Sequence, residues 1–290
     1  MYIMDDTITK RLQNINHIYL SGGAFGVIYQ IGALNKLMKY FQTYIIFRKP
    51  IIYGDSVGAL IGILFILGMS GSEQLKLYNA ISEIALKRIR EKPLDISSYY
   101  LTEYPLDILK KINREYPDAY RVVSNKIFIG VVLVHKNGRC EKKWYSNFKS
   151  QKELFNILLC SFNIPFLSTY DAKITDNGNT MLAMDGCLGY EDMPEGILRI
   201  INGTSDGELM GNISLYQSLV PPSKETTKRY YEKGKNDMRN KIKLNMNVKN
   251  NNLPSLFSHN IPLRMLGFAR KKIQPINTEH NLDYIFNDSF

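Results

Sequence analysis

A serine set between two glycines, Gly54-Asp55-Ser56-Val57-Gly58, is the strongest chemical signal in the chain. On a strand-to-helix turn this pattern makes a nucleophile elbow. The strained turn presents Oγ at the end of the sheet, and the glycines let strand and helix approach closely. The first N–H groups of the following helix favour developing negative charge. The pattern recurs at Gly203-Thr204-Ser205-Asp206-Gly207, also after a strand-like segment. For either copy the ordinary alternative is a tight turn with a hydrogen-bonding serine. Ser56 is preferred for its company. Upstream lies Ser21-Gly22-Gly23-Ala24-Phe25-Gly26, whose glycines leave backbone N–H groups able to converge on an anion. Alone, that turn reads equally as a phosphate cradle, an oxyanion hole or a plain turn. The chain holds neither G-x-x-x-x-G-K-[ST] nor G-x-G-x-x-G, so a nucleotide site is poorly supported. Downstream, Asp185-Gly186 ends the apolar run Met181–Met184, which places a carboxylate at a strand end. Turn capping is the default role for such an aspartate.

These residues need elements to hold them. Asn16–Leu20 reads as a strand, and Val27, Ile31, Leu34, Met38 and Phe41 then recur at helical spacing. Tyr44–Tyr53 is a second strand candidate, interrupted by Lys49-Pro50. The run Val57–Met69 is shorter than the ~20 residues a spanning helix needs and reads as a buried helix. Tyr78, Ile81, Ala85 and Ile89 mark another helix, and Pro105 starts one through about Arg114. Lys126–His135 and Arg139–Tyr145 form a hairpin around Lys136-Asn137-Gly138. A helix over Gln151–Phe162 precedes strands at Met181–Met184 and Ile197–Ile201. The fold class is therefore α/β, a mostly parallel sheet covered by helices. Beyond Pro221-Pro222 the composition turns to Lys, Asn and Tyr. Residues 1–220 are thus expected to form the main domain, with 221–290 a basic extension packed on it.

Composition bounds the function. The 290 residues are 44% hydrophobic and 22% charged, with a net charge of +10, a globular balance and not a disordered one. Three cysteines without a C-x-x-C pair suit a reducing compartment, and four scattered histidines argue against a zinc site. Met1–Lys10 carries Asp5 and Asp6 where a secretory leader would be basic, so an intracellular protein is expected. Abundant Ile, Lys, Asn and Tyr suggest an AT-rich coding sequence, such as a viral one.

Taken together, the glycine turn, the elbow and Asp185-Gly186 resemble the patatin-like phospholipase family. Cys160-Ser161-Phe162-Asn163-Ile164-Pro165-Phe166 is similar to the family's A-S-x-x-x-P-x-x-F segment, and Asp192-Met193-Pro194 resembles its N-x-P turn. The resemblance covers about Asn16–Tyr231 and makes Gly203-Thr204-Ser205 structural. It departs from the family's G-G-G-x-[KR]-G at three positions: Ala24 stands at the third glycine, Gly26 at the basic residue and Val27 at the last glycine. Cys187 replaces the second glycine after Asp185. An alanine at position 24 is expected to need a negative φ.

The resemblance implies a three-layer α/β/α fold and a lipid acyl hydrolase. Ser56 would be the nucleophile and Asp185 the general base of a dyad without histidine. The N–H groups of Gly22, Gly23, Ala24 and Val57 would form the oxyanion hole, and Gly54 and Gly58 would shape the elbow. A carboxylate with an ordinary pKa near ~4 is a poor base for a hydroxyl, and partial burial would improve it. No metal or cofactor is required. The substrate class is phospholipid or neutral-lipid ester. Two rivals remain: a Ser-Asp-His esterase using His259 or His280, and a weakly active lipid-binding protein on the same fold. His17 and His135 read as structural. The basic stretch 224–272 suits contact with an anionic membrane, with a solvated basic face as the ordinary alternative. No nucleic-acid partner is expected.

Overall fold

His17–Leu20 and Ile51–Asp55 form β1 and β2, paired in parallel with Leu20 opposite Gly54. The computed structural model describes residues 6–46, 48–91, 103–135, 137–164, 172–176, 178–189, 193–202, 209–213, 217–218, 220–244, 282 and 285–286. The chain divides into two units. One comprises Met1–Ser82 with Asp192–Leu253, the other Glu83–Glu191 with Pro254–Phe290.

In the first unit, β7 (Leu198–Ile201) pairs in parallel with the other edge of β1, and β8 (Leu209–Met210) with β7. Ile18, Leu20, Ile52 and Ile200 are fully buried, as expected for parallel strands covered on both faces. Helix α2 (Ile28–Thr43) buries every residue from Ile28 to Leu34, and α3 (Val57–Ile66) buries all but its first residue. The apolar run after Ser56 is thus the buried helix its composition predicts. Helix α4 (Gly71–Glu91) opens with a capping box. There Glu73 N–H donates to Ser70 Oγ at 3.2 Å, and Ser70 N–H donates to the Glu73 carboxylate at 2.8 Å.

The long C-terminal helix α8 (Lys224–Leu244) lies against α2 at a crossing that admits no side chain. A Cβ on Gly32 would stand 2.1 Å from the Tyr231 carbonyl oxygen, and one on Gly234 2.1 Å from the Tyr29 carbonyl oxygen. Buried Tyr29 donates its hydroxyl to Asp237 at 2.9 Å, beneath Lys233. Burial first, then Asp237, pushes the Tyr29 phenol far above its ordinary value. Helix α1 (Asp6–Gln13) buries Ile8 and Leu12, and its Arg11 guanidinium caps α8 by donating to the Ile242 carbonyl at 2.8 Å.

In the second unit, β3 (Ile127–Val134) pairs antiparallel with β4 (Cys140–Tyr145), the expected hairpin, and with β6 (Asn179–Asp185). A short β5 (Lys173–Asp176) flanks β6. Helices α5 (Glu103–Glu115), α6 (Ala119–Val123) and α7 (Gln151–Ser161) belong to this unit. Ser150 caps α7 by accepting from Glu153 N–H at 3.1 Å.

The strand expected over Tyr44–Tyr53 is shorter than its pattern suggested. Helix α2 runs on through Thr43, and the chain then turns left-handed at Ile45 (φ 53°), with Ile46 N–H reaching back to Phe41 O at 2.8 Å. This helix-terminating turn consumes Tyr44–Ile46, and the strand begins only at Ile51.

Candidate active site

Because Leu20 and Gly54 are in register, the glycine turn and the elbow leave adjacent parallel strands at the same level. Helix α3 folds back over β2 at Gly54, where an added Cβ would lie 2.5 Å from Ala59 Cα. A Cβ on Gly58 would lie 2.4 Å from Leu20 O and 2.6 Å from Ser21 O. Both glycines of the pentapeptide are therefore required by backbone approach. Ser56 between them has φ 53° and ψ −133°, a conformation an L-residue holds only under constraint. It is buried at 7% exposure. Its carbonyl accepts the first bonds of α3, from Ala59 at 2.9 Å and Leu60 at 3.4 Å. Val57 N–H, at the very start of the helix, has no intrahelical acceptor. The preceding Asp55 is fully buried and accepts from the Tyr19 hydroxyl at 2.7 Å.

The glycine turn passes through Gly23 at φ 134° and Ala24 at φ 41° into a short 3-10 segment, Ala24–Val27, closed by Gly26 N–H on Gly23 O at 2.8 Å. The expectation of a negative φ at Ala24 is overturned. The turn keeps a left-handed backbone here although the residue is alanine, at a cost of about 1–2 kcal/mol. Among the described residues, the N–H groups of Gly22, Gly23 and Ala24 donate to no carbonyl. Gly26, where the family pattern has a cation, is packed. Its added Cβ would touch Ser218 Cβ at 3.2 Å and Asn202 Cβ at 3.3 Å. Val27 is 4% exposed. These two departures are accommodated as core packing. Below the turn, Tyr78 donates to Phe25 O at 2.9 Å, and burial pushes its phenol well above the ordinary value.

Asp185 belongs to the second unit, at the last position of β6 opposite Val131. It is 1% exposed, and its carboxylate accepts from Cys187 N–H at 2.8 Å, which starts a one-turn 3-10 segment. The segment after α7 brackets it. Asp185 N–H donates to Asn163 O at 2.7 Å, and Asn163 Nδ2 donates to Ala183 O at 2.6 Å. Ser161 Oγ in turn donates to Gly130 O at 2.8 Å. The Ser161-Phe162-Asn163 part of the sequence thus locks the strand end carrying the carboxylate.

The His17 ring is tilted against Tyr53, and His135 Nε2 lies 3.0 Å from the Glu141 carboxylate across the hairpin. Ser205, His259 and His280 fall outside the described residues, as do Pro165, Phe166 and Asp192. Sequence reasoning did not single out Tyr19, Gln30, Asp55 or Asn202. Gln30 could have been noticed as the one amide in an otherwise apolar stretch of α2.

A strand–glycine turn–helix unit stands beside a strand–serine–helix unit on neighbouring parallel strands, an α/β arrangement. The model of one family, Patatin-like phospholipase, matches residues 18–194, and the chain belongs to that family. The match spans both units and includes the glycine turn, the elbow and Asp185-Gly186. With it comes the three-layer α/β/α fold and, in general terms, lipid acyl hydrolysis. Comparison with curated proteins gives no match. Among the described residues, no helix is long and apolar enough to cross a membrane.

Proposed function

We propose that the chain hydrolyses carboxylic esters of phospholipid or neutral lipid through an acyl-serine intermediate on Ser56, with Asp185 as general base. Ser56 Oγ attacks the ester carbonyl as its proton passes to the Asp185 carboxylate. The tetrahedral oxyanion is held by N–H groups of the glycine turn (Gly22, Gly23, Ala24) and by Val57 N–H. Collapse expels the alcohol, which takes the proton. Water, deprotonated by the same carboxylate, then attacks the acyl-serine, and Ser56 Oγ takes that proton back as the fatty acid leaves. The observation that carries this reading is the left-handed backbone of Ser56 at the start of a buried helix. A merely hydrogen-bonding serine in a relaxed turn has no need of that strain.

The test is hydrolysis of a p-nitrophenyl acyl ester and of a phospholipid by wild type, Ser56→Ala, Asp185→Asn and Ser205→Ala. Loss of a nucleophile costs on the order of 10⁶ in kcat in a comparable hydrolase. Ser56→Ala and Asp185→Asn should be inactive and folded, and Ser205→Ala active. An active Ser56→Ala protein would overturn the assignment.

The membrane contact proposed for 224–272 gains support from crowded cations on two helices of the first unit. Partial burial, then Arg239, Lys39, Lys243 and Lys235, lower the Lys36 ammonium pKa. Lys235, Arg239 and Lys243 recur every fourth residue on α8, and Lys36 and Lys39 lie on α2. Such a group of like charges is relieved by an anionic surface.

A further inference from the structure

The N–H groups of Gly22 and Gly23 can serve an oxyanion only if their peptide planes hold one orientation. A peptide unit is planar and trans, so its C=O and N–H point in opposite directions. Fixing one carbonyl therefore fixes the next residue's N–H. Both relevant carbonyls are held by side-chain amides. Gln30 Nε2, on α2, donates to Ser21 O at 2.7 Å and touches Ser21 Oγ at 3.1 Å. Asn202 Nδ2, just past β7, donates to Gly22 O at 3.0 Å, and Asn202 N–H donates to Ser21 Oγ at 3.1 Å. Gln30 is 0% exposed and Asn202 3%.

We infer that Gln30 and Asn202 are positioning residues that preorganise the oxyanion hole, each holding one carbonyl of the Ser21-Gly22-Gly23 turn so that the Gly22 and Gly23 N–H groups face the reacting carbonyl. This rests on the acyl-hydrolase reading above. The orientation of each amide is dictated by chemistry: a backbone carbonyl only accepts, so the NH2 end must face it. The consequence is that Gln30 Oε1 and Asn202 Oδ1 are buried with no hydrogen-bond partner among the described residues. Two orphaned acceptors beside one turn are a destabilising arrangement. Apolar side chains there would avoid those orphans but would strip the Ser21 and Gly22 carbonyls of their side-chain donors. Donors that hold the turn's carbonyls give a reason to retain the amides. The need is greater here than in the family pattern, because Ala24 is strained and Gly26 supplies no cation to the turn.

Gln30→Met and Asn202→Leu remove the donors at nearly constant volume, and both they and the double variant are made in the full chain. Two readouts are taken. Hydrogen-exchange mass spectrometry should show the segment 20–27 exchanging at least about tenfold faster, with exchange elsewhere unchanged. Ester kinetics should show kcat lowered about 10- to 100-fold per variant with KM within about twofold, short of the 10²–10³ lost with a whole oxyanion donor. Unchanged exchange in both folded variants would refute the positioning role whatever the activity. Faster exchange with kcat within threefold of wild type would show a pinned turn that is not the oxyanion hole, and would overturn the inference. Should wild type and Ser56→Ala be equally inactive, the hydrolase reading fails by itself, and with it the catalytic part of this assignment. Unfolding of Asn202→Leu would be met with Asn202→Ser, which shortens the donor, and Gln30→Met, each read by the same two measurements.

Discussion

Adding one methyl group at the crossing of α2 and α8 sets two known effects against each other. Gly234→Ala in a helix interior gains about 0.8–1.0 kcal/mol from propensity alone. The new Cβ, however, would stand 2.1 Å from Tyr29 O and 2.9 Å from Ala33 N. Carbon and oxygen cannot approach within about 3 Å without strong repulsion, so the helices must part by roughly 1 Å. Both obstructing atoms are main chain, so no rotamer change relieves them. Overpacking of this kind costs about 1–3 kcal/mol or more, and parting the helices also loosens the part-buried Tyr29–Asp237 hydrogen bond. The clash should win by about 1–2 kcal/mol, with the same sign for Gly32→Ala, whose Cβ meets Tyr231 O. For a chain of this size that lowers Tm by roughly 2–8 °C. Because one separation relieves both clashes, Gly32→Ala/Gly234→Ala should cost less than the sum of the singles. Calorimetry and urea unfolding read all three. Single variants more stable than wild type by about 1 kcal/mol would mean that propensity prevails, and the close crossing would be refuted.

Stability should fall above about pH 10. Tyr29 and Tyr78 are both raised by burial, so below pH 10 they are neutral in either state, and above it only the unfolded chain loses their protons. Each tyrosine removes up to about 1.4 kcal/mol per pH unit there, read as Tm against pH from 8 to 11.5; a slope unaltered by Tyr78→Phe would contradict this. His259→Ala and His280→Ala should each change ester hydrolysis by less than about tenfold, and a collapse in either with normal unfolding would favour a triad over the dyad. Sedimentation with vesicles containing phosphatidylserine should recover the protein at low salt and release it as salt rises, and equal recovery with phosphatidylcholine alone would remove the membrane reading.

The elbow was legible because its residues lie close together in the chain. Gly54, Ser56 and Gly58 fall within five positions, and Gly54 meets Ala59 in its own strand–turn–helix, while Gly58 is demanded from outside it by the Leu20 and Ser21 carbonyls. The hairpin Ile127–Tyr145 was legible for the same reason. Strand β5 was not, since Lys-Ile-Thr-Asp carries one apolar residue and takes its partner from β6, and β8 has only two residues. Helix α1 shows little beyond Ile8 and Leu12, one turn apart. The family pattern identified Ala24 as a departure, but its φ depends on the path the turn takes past Asn202, a residue 178 positions away. Gln30 and Asn202 escaped notice because their partners are backbone carbonyls, which carry no mark in sequence.

The position of β1 has a consequence in time. One of its edges meets β2 some 34 residues on, and the other meets β7 about 180 residues on, at Ile18 and Leu198. A ribosome adding roughly 5–20 residues per second needs about 7–29 s to pass from β2 to β7. For that interval a growing chain can pair β1 with β2 but leaves the far edge of β1 with unanswered N–H and C=O groups. The turn that follows β1 is likewise without Asn202. An open, apolar strand edge is a template for association with other chains. Synthesis of this protein should therefore pass through a window in which the strand and helix flanking Ser56 already exist while aggregation is most favoured, and slowing elongation downstream of residue 82 would lengthen it.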